Sequence, residues 1–478
     1  IFTVPFSDFS VGAGGQVNLR NVNLDAPMTI AANFSTLSDI SQIGTDIDGE
    51  TTTDYSGRSV CLSGNGTIVA IGAYYHDGYK GTTRIYQNIT GTWTKIGQDI
   101  DGEVASEYSG GSVSLSSNGS IVAIGAYNHD GGKGTTRIYL YSTPGQTTGT
   151  WTKIGQDIDG AVANAWSGQS VSLSSNGSIV AIGAPGTFNS GKTGTTRIYL
   201  YSTPGQTTGT WTKIGQDIDG AVANEYSGNS VSLSSDGSIV AIGARGHDGG
   251  KGTTRIYLYS LPGQTTGTWS KLGLDIDGET TTEYSGITVC LNSDGSIVAI
   301  GATGHDGGKG TTRIYLYSLP GQTTGTWSKL GLDIDGADAN DNSGYSVSLS
   351  SDGSIVAIGT YGHDSNQGRT RIYKNINSTW TQIGPNIDGD ANGDRSGYSV
   401  SLSSDGSIVA IGAYGHDGYK GTTRVYQLPV TISVSITSTI PANNYFINNF
   451  VSTIETDLTY YTLSYDASNA LITFDGLA

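Results

Sequence analysis

One segment recurs seven times along the chain, and this repetition limits the possible folds more than any other feature. The segment reads SIVAIG or TIVAIG, and successive copies begin 53 to 60 residues apart. Its first isoleucines are Ile68, Ile121, Ile179, Ile239, Ile297, Ile355 and Ile408. Repeats of this length are single supersecondary units that bury their apolar faces against their neighbours. The 478 residues are therefore expected to contain one large repeat array.

Each repeat contains four segments with the pattern of β-strands. SVSLS alternates apolar and small polar residues, SIVAIGA is apolar on both faces, and the SNG or SDG between them is typical of a hairpin. TTRIYLY and TWTKIGQDI follow, and no part of the array has the 3.6-residue period of a helix. Four antiparallel strands repeated seven times predict an all-β fold, a seven-bladed β-propeller of four-stranded blades. A solenoid of sheets is the alternative, although solenoid repeats are usually shorter.

The copies of the fourth-strand motif are offset by one repeat relative to the copies of the other three segments. The motif first occurs at residues 38–47, before any complete repeat, and the last repeat, 397–428, has no such motif after it. We therefore expect residues 38–47 to complete the last blade by lying beside residues 422–428, which leaves no open sheet edge. Six copies of the motif contain a tryptophan where the first copy has Ile40, and these side chains are predicted to pack between blades. They are Trp93, Trp151, Trp211, Trp269, Trp327 and Trp380.

The two ends of the chain lie outside the repeats. Residues 1–37 are interpreted as an N-terminal β extension, 38–428 as the propeller and 429–478 as a C-terminal β segment, because alternating segments such as VTISVSITSTI continue there. Extra β segments can add strands to a partner's sheet. We therefore expect the ends to act as anchors or to assemble copies into a coat or fibre. A small appended β domain without a partner is the alternative.

The chain is strongly acidic, with a formal net charge of −17. Such a chain is not expected to bind nucleic acid or an anionic membrane surface. No run of 18 apolar residues occurs, so no membrane-spanning segment is expected. The only two cysteines, Cys61 and Cys290, each replace a serine of the repeat and are expected to be small buried side chains without a disulfide bridge.

Histidine occupies a single position of the repeat, in the loop between the second and third strands. Only the third repeat lacks it, and the six residues are His76, His129, His247, His305, His363 and His416. In a propeller these loops share one face, where the histidines would form an interrupted ring. A structural turn in which each histidine stacks on its neighbours is the favoured interpretation, and a rim whose histidines contact a ligand or glycan is the alternative. No metal site is expected, because equivalent loops of different blades are too far apart to share an ion.

The loop before each first strand differs most between repeats and often carries an aromatic residue. These aromatic residues are Tyr55, Tyr108, Trp166, Tyr226 and Tyr284. Aromatic side chains on a rim suit contact with a sugar or a protein. Packing over the end of the blade is the alternative. The third repeat has Trp166 and no histidine, so specialisation is most expected there.

Paired carboxylates and one arginine recur on neighbouring strands. The aspartates of DIDG are two residues apart and are expected to share a strand face. They are Asp46 and Asp48, Asp99 and Asp101, Asp157 and Asp159, Asp217 and Asp219, Asp275 and Asp277, and Asp333 and Asp335, with Asn386 and Asp388 in the last copy. The arginines are Arg84, Arg137, Arg197, Arg255, Arg313, Arg371 and Arg424. Arg–Asp pairs within the blade are the favoured interpretation, and calcium binding is the alternative.

The repeats resemble FG-GAP repeats, the propeller repeats of the integrin α type. YSGxSVSLS is similar to the Phe-Gly strand of that family, and AIGAP at residues 181–185 matches its Gly-Ala-Pro. The resemblance covers residues 38–428 and implies a β-propeller. Many FG-GAP blades carry a calcium loop with alternating aspartates after the first strand, where this chain has only SSNGS or SSDGS. More loosely, the repeat resembles surface proteins of marine bacteria and of large viruses of algae.

The sequence favours binding over catalysis. No Ser/His/Asp set, cysteine nucleophile, phosphate loop or zinc spacing is apparent, and the histidines follow the repeat, which a single active site would not do. We expect a non-enzymatic protein of an extracellular, cell or virion surface, which contacts glycans or proteins through one face and requires no cofactor. The alternative is a polysaccharide-active propeller enzyme with carboxylates near the central channel.

Overall fold

The computed structural model describes residues 40–429, except 187–190 and 192. Of the two ends it describes only the strands Phe9–Gly12, Gln16–Leu19, Met28–Ser35, Thr431–Ser438, Val451–Glu455, Tyr460–Asp466 and Leu471–Gly476. The chain divides into two compact units, one of which is Asp39–Leu428 and the other Ile1–Ser38 together with Pro429–Ala478. Residues 38 and 39 of the predicted closing strand lie outside the described residues.

The larger unit is a seven-bladed β-propeller, and each blade is one antiparallel sheet. Blades are numbered in the chain order of their innermost strand, A. Strand A is Ser59–Leu62, Ser109–Leu115, Ser170–Leu173, Ser230–Leu233, Thr288–Leu291, Ser346–Leu349 and Ser399–Leu402. Strand B is Ile68–Ala73, Ile121–Ala126, Ile179–Ala184, Ile239–Ala244, Ile297–Ala302, Ile355–Thr360 and Ile408–Ala413. Strand C is Thr82–Ile89, Thr135–Tyr141, Thr195–Tyr201, Thr253–Tyr259, Thr311–Tyr317, Arg369–Ile376 and Thr422–Gln427.

The outer strand, D, consists of two short segments that both pair with strand C. In blades 1 to 6 the first segments are Thr92–Lys95, Trp151–Lys153, Trp211–Lys213, Trp269–Lys271, Trp327–Lys329 and Thr379–Gln382. The second segments are Ile100–Asp101, Ile158–Asp159, Ile218–Asp219, Ile276–Asp277, Ile334–Asp335 and Ile387–Asp388. Between them a glycine such as Gly97 has a φ of +71°, and a Cβ atom there would lie 2.6 Å from Trp151 of the next blade. This left-handed glycine interrupts the strand that the sequence pattern predicted as continuous.

The fourth position of blade 7 is filled from the beginning of the chain. Ser41–Gln42 and Ile47–Asp48 pair antiparallel with Thr422–Gln427. Gln42 lies opposite Tyr426, and the amide of Ile43 donates a 2.7 Å hydrogen bond to the carbonyl oxygen of Val425. The sheet of blade 7 thus has the same five segments as the sheets of the other blades.

The tryptophans of strand D pack between blades, as predicted. The indole Nε1 of Trp151 donates a 3.0 Å hydrogen bond to the carbonyl oxygen of Ile96 in the preceding blade. Trp93, Trp211, Trp269, Trp327 and Trp380 make the same bond to Ile43, Ile154, Ile214, Leu272 and Leu330. In blade 7, Ile40 packs against the cluster of Ile383 and Leu428. Each of these side chains therefore stabilises an interface between two sheets.

The hydrophobic core lies between adjacent blades because strand B is apolar on both faces. Ile121 and Ala123 pack against blade 3, whereas Val122 and Ile124 pack against blade 1. All four side chains are at most 4 % exposed. Burial of this kind contributes about 25 cal/mol per Å² of apolar surface and is the main source of stability for such interfaces.

The hairpins between strands A and B form a closed ring of backbone hydrogen bonds around the propeller axis. The amide of Ser117 donates to the carbonyl oxygen of Ser175 at 2.7 Å, and the equivalent residues of the other blades repeat this contact. The ring runs through Gly64, Ser117, Ser175, Ser235, Ser293, Ser351 and Ser404. The amide of Ser404 then donates to the carbonyl oxygen of Gly64 at 2.7 Å, which joins blade 7 directly to blade 1.

A second series of contacts between blades explains the two cysteines. In five blades a serine of strand A accepts a hydrogen bond from a leucine amide of the next blade, as Ser114 does from Leu173 at 2.9 Å. The Sγ atom of Cys61 accepts the equivalent bond from Leu115 at 3.2 Å, and Cys290 accepts it from Leu349 at 3.3 Å. Both cysteines are free thiols, as predicted.

Among the described residues, six helical turns follow strand B, where the sequence pattern predicted no helix. They are His76–Tyr79, His129–Gly132, His247–Gly250, His305–Gly308, His363–Asn366 and His416–Tyr419. Each contains three residues with positive φ, such as Asp130 at +47°, Gly131 at +65° and Gly132 at +76°. A right-handed helix cannot continue through such residues. These segments are therefore tight turns that leave no helical period in the sequence.

The described strands of the smaller unit form two sheets. Met28–Ser35 pairs with Thr431–Ser438. The other sheet has the strand order Phe9–Gly12, Gln16–Leu19, Leu471–Gly476, Tyr460–Asp466 and Val451–Glu455. Both sheets combine strands from the two ends of the chain, which were treated as separate segments in the sequence analysis.

Candidate functional site

The loops after strand B and the loops before strand A lie on one face of the propeller, called here the histidine face. On it, each histidine binds a carboxylate from the loop before strand A of its own blade. Nδ1 of His129 lies 2.7 Å from Oε2 of Glu107. The other pairs are His76 with Asp54, His247 with Glu225, His305 with Glu283, His363 with Asp341 and His416 with Asp394, at 2.8 to 3.3 Å. The carboxylates are buried and the histidine side chains are only 12 to 24 % exposed, so each Nδ1 makes a structural contact.

In blades 1, 2, 4 and 5 the arginine of strand C connects the buried carboxylate to strand D. Nη1 of Arg137 lies 2.8 Å from Glu107, and its Nε lies 2.8 Å from Asp157. Burial raises the pKa of the Asp157 carboxyl, but hydrogen bonds from Lys153 and Arg137 outweigh it and lower that pKa below its usual value. The equivalent pairs are Arg84 with Asp99, Arg197 with Asp217, Arg255 with Asp275, Arg313 with Asp333 and Arg424 with Asp46. The predicted Arg–Asp pairs are thus present in six blades.

The two aspartates of each DIDG motif do not act together. Asp99 is half-buried against Arg84, whereas Asp101 is exposed, and the later copies repeat this difference. In blade 6, where Asn386 replaces the first aspartate, Arg371 binds the hydroxyls of Tyr373 and Ser343 at 2.9 and 3.0 Å. The strand C arginine thus binds the first aspartate of the motif wherever that aspartate is present and takes other partners where it is absent. Ion pairing therefore accounts for the repetition of the first aspartate.

Two groups of side chains bring three metal-ligating atoms within 4.8 Å of one another. They are Asp46, Asp390 and His416 in one group, and Asp338, Asp341 and His363 in the other. Arg424 already binds both aspartates of the first group. The second group borders a cavity of about 620 Å³, but its buried carboxylate already accepts backbone hydrogen bonds. Calcium usually takes six to eight oxygen ligands, which neither group of the described residues supplies.

Blade 3 lacks both members of the histidine–carboxylate pair. Ala165 replaces the acidic residue found at Glu107 in blade 2, and the loop after strand B has no histidine. Residues 187–190 and 192 of that loop lie outside the described residues. Joint loss of the two residues in one repeat was visible in the sequence and could have identified the pair.

The five predicted aromatic residues all lie on the histidine face in a left-handed backbone conformation, with φ between 55° and 59°. Tyr284 is 41 % exposed, and the other four are half-buried. Tyr55 stacks on Tyr75, while Tyr108 stacks on Tyr127. Left-handed backbone is costly for tyrosine and tryptophan and is typical of positions fixed by their surroundings.

A larger group of aromatic side chains, which the sequence analysis missed, surrounds three of these residues, Tyr55, Tyr108 and Trp166. Tyr226 and Tyr284, in blades 4 and 5, lie outside this group. Ring contacts run without a break from blade 6 through blades 7, 1 and 2 to blade 3, with successive centroids 4.5 to 5.9 Å apart. In order, the rings are Tyr345, Tyr398, Tyr414, Tyr55, Tyr74, Tyr108, Tyr127 and Trp166. Tyr361, Tyr75, Tyr79 and Tyr419 contact this series from its sides. These residues are called the aromatic belt.

Most of the belt is formed at positions where the repeats differ. The position after strand B holds Tyr74, Tyr127, Pro185, Arg245, Thr303, Tyr361 and Tyr414. The position before strand A holds Arg58, Gly111, Gln169, Asn229, Ile287, Tyr345 and Tyr398 in the SGxSV or SGxTV motif. A nearly uniform scaffold thus carries an asymmetric group of side chains on one face. Comparison of the variable positions alone would have drawn attention to it.

Two arginines border the belt. The guanidinium carbon of Arg58 lies 4.3 Å from the ring centre of Tyr398 in blade 7 and 5.1 Å from that of Tyr74 in its own blade. Arg395 lies 5.2 Å from the ring centre of Tyr414 and donates a hydrogen bond to its hydroxyl. Among the described residues neither arginine forms an ion pair with a carboxylate, in contrast to the strand C arginines of six blades.

Within the described part of the chain, no helix reaches the length and apolarity needed to cross a membrane.

Comparisons with known proteins give similarity in fold only. No protein-family model matches the sequence, and no curated protein is similar to it. Among solved structures, the chain is similar to hydrazine synthase of Kuenenia stuttgartiensis, with a TM-score of 0.49 and 12 % sequence identity. That match covers 80 % of this chain and 97 % of the other. The description of the chain as a seven-bladed β-propeller rests on its own strand pairing.

Proposed function

We propose that the propeller is a non-enzymatic binding module that contacts a glycan through the aromatic belt. The observation that carries this proposal is the unbroken series of aromatic contacts across five blades of the histidine face. Tyr79 and Tyr419, at the side of the belt, are 45 % and 37 % exposed. Sugar rings present C–H faces that pack on aromatic rings, and tyrosine hydroxyls can both donate to and accept from sugar hydroxyls.

The asymmetry of the belt supports a role in recognition. Packing between blades is already supplied by the tryptophans and by strand B, which recur in nearly every repeat. The belt instead uses positions that vary, and it is concentrated in blades 6, 7, 1 and 2. Five of the eight rings in the series are half-buried, whereas Tyr74, Tyr398 and Tyr414 are buried. Partly exposed aromatic residues gathered in one patch mark interaction sites more often than scattered ones do. Tyrosine and arginine are also enriched in protein interfaces. A binding experiment must therefore distinguish a protein ligand from a glycan.

We also propose an extracellular location, on a cell or virion surface. The resemblance of the repeats to FG-GAP repeats and the net charge of −17 support this location. In the same proposal the smaller unit anchors the propeller or assembles copies into a coat or fibre. Phe9–Gly12 and Val451–Glu455 are the outer strands of its five-stranded sheet, and outer strands can accept a strand from a partner.

A polysaccharide-active enzyme is the alternative. Such an enzyme needs two carboxyl groups, about 5 to 10 Å apart, that are free to act on the glycosidic bond. The buried carboxylates of the histidine face are instead held by arginine and histidine, as Glu107 and Glu225 are by Arg137 and Arg255. Engagement of these groups in ion pairs supports binding over hydrolysis.

A glycan panel tests the proposal with the full chain and two variants. Tyr108→Ala removes a half-buried ring from the middle of the belt, whereas Leu261→Ala removes a side chain that is 39 % exposed from the loop between strands C and D, on the opposite face. We expect the wild-type protein and Leu261→Ala to bind the same glycans, and Tyr108→Ala to bind them about tenfold or more weakly. Equal binding by both variants, binding only to proteins, or cleavage of a bound glycan by the wild-type chain would contradict the proposal.

A further inference from the structure

We propose that the saccharide bound by the aromatic belt is anionic, and that Arg58 contacts its acidic group. This inference rests on the proposed function and adds the charge of the ligand to it. The shared chemistry is a carboxylate or sulfate group carried on a sugar ring, which a guanidinium can bind through two parallel hydrogen bonds.

The first argument is the contrast between Arg58 and the arginines of strand C. In an acidic protein most buried cationic side chains pair with a carboxylate. Arg137, for example, contacts three of them, Glu103, Glu107 and Asp157. Arg58 is half-buried, and its described neighbours are tyrosine rings in place of carboxylates. A guanidinium in such surroundings keeps its charge, because its pKa lies far above neutrality. It therefore remains available to an anion brought by a ligand.

The second argument is that Arg395 borders the same aromatic pair. The rings of Tyr398 and Tyr414 lie 4.5 Å apart, with Arg58 over the first and Arg395 over the second. Nε of Arg395 is buried and has no hydrogen-bond partner among the described residues. A buried donor without an acceptor is unfavourable, and an anionic ligand would supply that acceptor.

The third argument concerns the hydroxyl groups around the two arginines. Burial raises the pKa of Tyr398 and Tyr414, although the neighbouring arginines oppose this effect. Both hydroxyls therefore stay protonated at neutral pH. The hydroxyl of Tyr398 is hydrogen-bonded to that of Tyr345, whereas the hydroxyl of Tyr414 accepts from Arg395 and keeps its own proton to donate. Cationic and neutral donors beside flat aromatic rings suit a sugar that carries one acidic substituent. A polyanion such as nucleic acid is disfavoured, because its many phosphates would meet a protein of net charge −17.

The test is isothermal titration calorimetry of the full chain with saccharides of equal length. The probes are an oligogalacturonate, its neutral form with the carboxylates reduced to alcohols, a sulfated oligosaccharide and a single-stranded oligonucleotide. The variants are Arg58→Met and Arg395→Gln, with Lys251→Met as the charge-matched control. Lys251 lies on the same face in blade 4, which contributes no ring to the belt, and thermal unfolding confirms that each variant is folded.

We expect the wild-type chain to bind an acidic saccharide at least tenfold more tightly than the neutral form. Arg58→Met should lose that preference while it still binds the neutral saccharide, Arg395→Gln should lose part of it, and Lys251→Met should retain it. Preference for the uronate or for the sulfate identifies the acidic group. Equal affinity for charged and neutral forms, an unchanged preference in Arg58→Met, or tighter binding of the oligonucleotide would overturn the inference but not glycan binding itself. Failure to bind any saccharide would overturn both.

Discussion

Nδ1 of His129 lies 2.7 Å from the carboxylate of Glu107, and blade 3 lacks both residues of this pair. The carboxylate is fully buried and also binds Arg137. A buried carboxylate that loses its partners is strongly destabilising, whereas removal of the whole group is tolerated. Blade 3 is consistent with this rule, because it has Ala165 at the repeat position of Glu107 and also lacks the histidine. Each of the six histidines is therefore fixed to the loop before strand A of its own blade, in addition to any contact that it makes with a ligand.

Glu107→Ala is expected to lower the free energy of unfolding by about 3 kcal/mol, because it leaves Arg137 and His129 without their main acceptor. The double variant Glu107→Ala/His129→Ala should cost clearly less than the sum of the single variants, with a coupling energy of about 1 kcal/mol or more. Urea unfolding of the four proteins measures this cycle. Additive costs would show that the histidine and the carboxylate are energetically independent.

The ion pairs predict a dependence of stability on pH. Burial raises the pKa of Glu225, but hydrogen bonds from Arg255 and His247 outweigh it and lower that pKa below its usual value. A carboxyl whose pKa is lower in the folded state contributes stability above its unfolded pKa, and this contribution is lost as the pH falls through the folded value. Thermal unfolding midpoints should therefore be nearly constant from pH 7 to 5 and fall below about pH 4, near the unfolded pKa.

Glu225→Gln is the control for this dependence, since glutamine cannot titrate. Its midpoint should be lower at pH 7, and its further decrease between pH 5 and pH 3 should be smaller than that of the wild-type chain. A steeper decrease in the variant would contradict the assignment of the lowered pKa to this carboxyl.

The role of Cys61 as an acceptor can be separated from its size. Cys61→Ser keeps an acceptor for the amide of Leu115, as the serines of five other blades do, and should change stability by less than about 1 kcal/mol. Cys61→Ala leaves that amide without a partner and should cost about 1 to 3 kcal/mol. Chemical denaturation of both variants provides the measurement. If serine were as destabilising as alanine, packing of the sulfur rather than the hydrogen bond would matter at this position.

The tryptophans should differ in importance according to their burial. Trp151 is 3 % exposed, so Trp151→Ala should cost about 3 to 5 kcal/mol. Trp93 makes the equivalent bond to Ile43 but is only half-buried, so Trp93→Ala should cost less. Trp151→Phe keeps one aromatic ring but loses the indole hydrogen bond to Ile96 and part of the buried ring surface, so it should cost less than Trp151→Ala. Thermal unfolding ranks the three variants, and a larger cost for Trp93→Ala would contradict the assignment by burial.

Much of the scaffold was predictable because its signals recur in every repeat. Alternation in strand A, two-sided apolarity in strand B and one arginine opposite one aspartate each specify a local contact, so the blades and the Arg–Asp pairs follow from the pattern. The interruption of strand D was missed, because its cause is the left-handed conformation of Gly97 and its equivalents. The helical turns were missed because positive φ at Asp130 and Gly131 destroys any helical period.

The candidate site was predictable only in part. Tyr55 and Tyr108 were assigned to the correct face because they follow the repeat, but most of the belt occupies positions that vary between repeats. Contacts such as that of Arg58 with Tyr398 also join opposite ends of the array. They exist only where blade 7 lies beside blade 1, so a pattern within one repeat contains no information about them.

The proposed site depends on the ring being closed, since Arg58 and Tyr398 meet across the junction of the first and last blades. Gln42 and Tyr426 face each other across that closing strand pair. They form a non-hydrogen-bonded pair, because Ile43 and Val425 beside them are hydrogen-bonded, and such pairs have Cα atoms about 4.5 Å apart, within reach of a disulfide.

The most direct test is therefore oxidative cross-linking of Gln42→Cys/Tyr426→Cys in a chain with Cys61→Ser and Cys290→Ser, followed by mass spectrometry of the digested protein. The account predicts a disulfide between residues 42 and 426. It predicts none in Gln42→Cys/Tyr373→Cys, in which the second cysteine takes the equivalent place in blade 6, opposite Gln382. Absence of the 42–426 disulfide, or equal cross-linking in the control, would contradict closure of the propeller by the beginning of the chain.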